Sequence, residues 1–96
     1  MMRNGNTMNV QIGNIIRGYD FKPMVGRNDC YVEGEVLERN AIVETGYDCY
    51  KIRCTKDVFD GKEQEAGEYS RKGQIVFVPW RVDFMEYSGR IMNLSE

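Results

Sequence analysis

Histidine is missing from this 96-residue chain altogether. Its absence removes the usual general base near neutral pH and the commonest transition-metal ligand. Ser-His and Cys-His nucleophile pairs go with it, as do most zinc sites. No catalytic residues, no bound metal and no cofactor are therefore expected, and the chain does not read as an enzyme. Cysteines number three (Cys30, Cys49, Cys54), an odd count without paired spacing, which argues against a disulfide framework. Cys49 and Cys54 lie five apart and face opposite ways on a regular strand, so they read as small buried hydrophobes. No apolar run approaches the roughly 18 residues that span a bilayer, and no apolar signal core follows Met1-Met2-Arg3. The expectation is a soluble protein of a reducing cytoplasm that does not engage a membrane. A basic excess is also lacking. Thirteen Lys and Arg face 15 Asp and Glu, so uniform coating of nucleic acid is excluded, while a local basic patch is not.

Hydrophobic residues at 42% and charged residues at 29% are ordinary globular values, and the length suits one domain over 1–96. Residues 1–9, MMRNGNTMN, read as a polar tail or one short N-terminal helical turn. From Val10 the apolar period is short. VQIGNIIRGYDF alternates around Gly13 and Gly18, and FKPMVGRND carries loop chemistry. CYVEGEVLE alternates Val32, Gly34 and Val36 against Tyr31, Glu33 and Glu35, with Gly34 marking strong curvature. A turn is signalled at Thr45-Gly46. YDCYKIRCTKDVF places Tyr50, Ile52 and Cys54 on one face and a basic strip of Lys51, Arg53 and Lys56 on the other face and its continuation.

DGKEQEAGEYSRKG opens with the turn dipeptide Asp60-Gly61 and reads as an acidic hairpin tip. Asp57, Asp60, Glu63 and Glu65 belong to this tip as solubilising charges. Two apolar blocks, QIVFV and RVDFM, follow, and YSGRIMNLSE supplies a last turn and strand. Short strands at this spacing, with glycine bends and no convincing helix, predict an all-β fold: a small, five-stranded, strongly bent SH3-like barrel. So small a barrel leaves adhesive edge strands, which favours pairing with further copies of itself.

The order of YVEGEVLERN, DCYKIRCTKDV, an acidic loop and GQIVFVPWRVDFM resembles the Sm/LSm-like fold. EGEVLERN is similar to its first motif, and IVFVPWRVDFM to its second, two strands joined by a tight loop. Pro79-Trp80-Arg81 stands where that family usually has Arg-Gly. The finer texture of YDFKPMVGRNDCYVEGEVLE, GYDCYKIRCTKD and VFVPWRVDFMEYSGRI is closest to the small Sm-like proteins of marine cyanophages and ocean metagenomes. The resemblance implies a ring of identical subunits joined between fourth and fifth strands, roughly five to seven copies. It also implies single-stranded RNA or DNA bound near the pore, in the cytoplasm of a bacterial host, with no catalytic activity.

Six residues are candidates for the nucleic-acid contact. Trp80 offers a face for base stacking and Arg81 a phosphate contact, both expected on the tight loop. The alternative is that Trp80 plugs the barrel mouth or packs at the subunit interface, with Arg81 bonding a neighbour's carboxylate. Arg39 and Asn40, expected just after a strand, offer phosphate and base-edge partners or an ordinary polar turn cap. Lys51 and Arg53 could track a backbone or form a solvated outer face. Lys22 and Arg27 are secondary candidates. A structural or adaptor module of a phage remains the competing function, since an acidic chain suits a protein partner equally.

Overall fold

The computed structural model describes residues 10–20, 29–41, 47–65, 67, 70–82, 85–86 and 90–95. Residues 1–9, and with them the N-terminal turn, lie outside the described residues, as do Lys22, Arg27 and Thr45-Gly46. Seven strand segments follow one another: β1 (Ile15–Tyr19), β2 (Tyr31–Ala41), β3 (Tyr47–Phe59), β4 (Lys62–Glu63), β5 (Ile75–Val82), β6 (Met85–Glu86) and β7 (Ile91–Asn93). Every pairing is antiparallel, and no α-helix occurs among the described residues. The strands form one sheet in the order β6-β5-β3-β2-β1-β7, with β4 folded back on β3. The protein is all-β, as expected, with a bent sheet compatible with a small barrel-like fold.

Two close approaches explain the bending. A Cβ on Gly34 would collide with the Arg53 carbonyl of the paired strand, so only glycine lets β2 fold this tightly over β3. Across the concave side, Gly18 of β1 lies so near Val78 of β5 that an added Cβ would sit 2.7 Å from a Val78 methyl. Strands β1 and β5 are separated in the sheet by β3 and β2, so this contact exists only because the sheet curls on itself. The space enclosed is the core: Val10, Ile16, Val32, Val36, Tyr50, Ile52, Cys54, Val78 and Ile91, with Val76 and Trp80 packed against it.

Bulges set which residues face that core. Thr55 is the extra residue between the pairs Glu33–Lys56 and Gly34–Cys54. It slips the alternation of β3 by one, so that Asp57 turns inward after Cys54. Asp57 was expected on the exposed acidic tip; instead it is 3% exposed and held by Arg71. The tip itself forms as the sequence predicts. Asp60 and Gly61, with φ of 55° and 76°, join Phe59 and Lys62 in a two-residue hairpin.

Candidate nucleic-acid interface

Strand β5 runs unbroken through IVFVPWRV, so Pro79, Trp80 and Arg81 do not form the tight loop expected of them. Pro79 pairs with Cys49 and Arg81 with Asp48, leaving Trp80 as the bulged residue between. A bulge close to a sheet edge tolerates proline's missing N–H, which is why the strand survives it. The chain reverses later, where β6 pairs back on Arg81 and Val82. The reversal itself, at 83–84, lies outside the described residues.

Trp80 points with Val76 and Val78 onto the core. Its ring lies 6.1 Å from that of Tyr50, tilted by 36°, and its indole Nε1 donates to the Arg39 carbonyl at 3.1 Å. Half-buried in this way, the indole braces the barrel end and offers only part of its surface. Arg81 sits 5.9 Å from the Trp80 ring and donates from Nε to Asp48 Oδ2 at 2.6 Å. Arg81 thus bonds a carboxylate of its own chain, on the strand paired with β5.

Arg39 and Asn40 lie inside β2 rather than after it. Between the pairs Glu38–Lys51 and Ala41–Cys49 these two residues face the single residue Tyr50, a second bulge. The hydrogen bond from Trp80 spans β3 and ties the two bulges together. Asn40 is exposed at this end. Arg39 is half-buried, and its Nε is sealed from solvent without a hydrogen-bond partner. A buried unpaired polar group carries a desolvation cost of about 1–3 kcal/mol, and more when charged. By contrast, Arg17 bonds Glu33, Arg71 bonds Asp20 and Asp57, and Arg81 bonds Asp48.

The structure thus brings Arg39, Asn40, Trp80 and Arg81 to one end of the sheet and leaves Lys51 and Arg53 on the outer face of β3. There the basic strip is interleaved with acids of β2. The register places Glu33 opposite Lys56, Glu35 opposite Arg53 and Glu38 opposite Lys51. Lys51 Nζ lies 3.6 Å from Glu38 Oε2. Such cross-strand pairs neutralise the strip and deprive it of the field of a continuous basic track.

The remaining reactive groups are quiet. Burial, and then the neighbouring Asp48 charge, push the Cys49 thiol up. Burial dominates at Cys54 and pushes it up as well, against an opposing backbone hydrogen bond from Lys56. Raised thiols hold little thiolate, so neither is an activated nucleophile. Asp29, Cys30 and Asp60 bring their ligand atoms within 4.8 Å of one another, but the three groups alone do not define a metal centre.

The chain matches no known protein family, no curated protein and no solved structure. No described helix is long and apolar enough to cross a membrane.

Proposed function

We propose that this chain is a non-catalytic nucleic-acid-binding protein of the Sm-like kind, of phage origin, working as a homo-oligomeric ring on single-stranded RNA or DNA in the host bacterial cytoplasm. The observation that carries the reading is Arg39. It is a half-buried cation without a hydrogen-bonded counter-charge among the described residues, at a bulged end that also presents Asn40 and Arg81. A phosphodiester would supply the missing anion, with Asn40 within reach of a base edge. Trp80 enters chiefly as the brace that positions Arg39.

Edges support the ring. Along Ile75–Trp80 no described strand pairs on the outer side of β5, and among the described strands β7 pairs only with β1. Both edges carry exposed apolar side chains, Ile75 and Phe77 on β5, Met92 on β7 and Leu94 just beyond it. Joining β5 of one copy to β7 of the next would continue the sheet and cover them.

The decisive experiment titrates fluorescently labelled single-stranded RNA and DNA of about 12 nucleotides, a length within the usual site size of such folds, at several salt concentrations. Wild-type protein binds saturably and more weakly as salt rises. Arg39→Ala lowers affinity roughly tenfold and reduces the salt slope by about one. Unchanged binding by Arg39→Ala removes the site. Absence of saturable binding at low salt removes the function and leaves the adaptor reading, which the neutralised outer face and the net charge of −2 favour.

A further inference from the structure

At the far end of β3 from Arg39, the hairpin of β3 and β4 opens a crevice of about 440 Å³ lined by Asp20, Asp57, Phe59, Gln64 and Arg71. We infer that this crevice docks a basic side chain, arginine by preference, from a protein partner.

The crevice is built from the floor upward. Asp57 accepts from the Arg71 backbone N–H and from its guanidinium, both at 2.8 Å. The same guanidinium forks onto both oxygens of Asp20 at 3.1 Å. The Arg90 guanidinium lies alongside, on the Tyr19 and Asp20 carbonyls, so the acidic excess of this end comes from the hairpin, where Asp60, Glu63 and Glu65 outnumber Lys62 and Lys72.

Accepting capacity faces outward. Each Asp20 oxygen takes one bond from Arg71 and keeps a lone pair, and the side chain is 29% exposed. Gln64 commits its Nε2 to the Lys62 carbonyl at 3.0 Å, which leaves Oε1 to accept. Phe59 forms the rim and is 52% exposed, so its ring face is open to a ligand in the crevice. An aromatic face beside carboxylate and amide acceptors is what a guanidinium recognises: cation–π contact on one side and in-plane hydrogen bonds on the other. A phosphate brings no donors for these outward-facing acceptors, whereas a guanidinium does.

The test follows backbone amide resonances of the full-length protein during titration with acetyl-arginine amide, acetyl-glutamine amide, spermidine and uridine. Acetyl-arginine amide is expected to shift Asp20, Phe59–Gln64 and Arg71 saturably. The expected Kd is of order millimolar, as suits a single side chain. Phe59→Ala, at an exposed position, should weaken this by roughly two- to fivefold while the remaining spectrum stays native. Gln64→Ala should weaken it as well. Three results overturn the inference: no saturable shift with acetyl-arginine amide, equal shifts from the glutamine control, or unchanged affinity in both variants. Tighter binding of spermidine or uridine overturns it too, by assigning the crevice to a free polyamine or a base. Because labelled nucleic acid is read separately at Arg39, failure here leaves the proposed function standing, and the reverse also holds.

Discussion

Arg39 and Asp57 are both ionised groups drawn partly into a small core, and they differ in what surrounds them. Burial by itself pushes the Asp57 carboxyl up, but two hydrogen bonds and the charge of Arg71 outweigh it and hold the group below its usual value. The pH consequence has a definite sign. A carboxyl whose folded value is depressed contributes stability above its unfolded value, near 4, and loses it as pH falls through the folded value. Stability should therefore decline below about pH 4, with Asp57 as one contributor. Asp57→Asn should cost about 1–3 kcal/mol at neutral pH and flatten that acid limb, as read from urea midpoints across pH. An unchanged acid limb would show that the Arg71 bonds do not matter to folding. Neither role was legible in the sequence. Arg39 could be nominated by residue type, but the lack of a partner for its Nε among the described residues depends on where β3 and β5 run. Asp57 was misplaced because a one-residue bulge at Thr55 reverses the facing of everything after it.

Strands were read more successfully than their interruptions. Alternation in CYVEGEVLE and YDCYKIRC locates β2 and β3 and puts Val32, Val36, Tyr50, Ile52 and Cys54 in the core, where they lie. Asp60-Gly61 makes its hairpin because aspartate and glycine accept positive φ cheaply. Pro79 misled, since proline usually ends a strand, whereas here a bulge at a near-edge position carries the strand past it. Phe77 is 44% exposed on the outer side of β5. Gly34 was marked as a point of curvature, and the Arg53 carbonyl against its Cα face is the physical cause. Adding one methyl there forces β2 and β3 apart. Gly34→Ala is expected to destabilise by about 2–3 kcal/mol in denaturant melts, an overpacking cost taken by backbone that has no room to move. Wild-type stability in that variant would mean the two strands can separate freely at this point.

For the whole molecule, charge and edges matter more than any single contact. Its acids and bases nearly balance in number but not in place. The outer face of β2 and β3 pairs its charges across the strands, acids gather on the hairpin, and the bulged end holds an arginine whose Nε is without a partner among the described residues. Two sheet edges carry exposed apolar side chains, which supports the proposed joining of copies. The central claim, a ring that holds a nucleic-acid strand, is most directly tested by native mass spectrometry of the protein alone and with a labelled single strand at low salt. The account predicts one closed oligomer of roughly five to seven copies that gains the mass of a bound strand and, in Arg39→Ala, needs roughly tenfold more strand to do so. A monomer, or an oligomer that never takes up the strand, would contradict it.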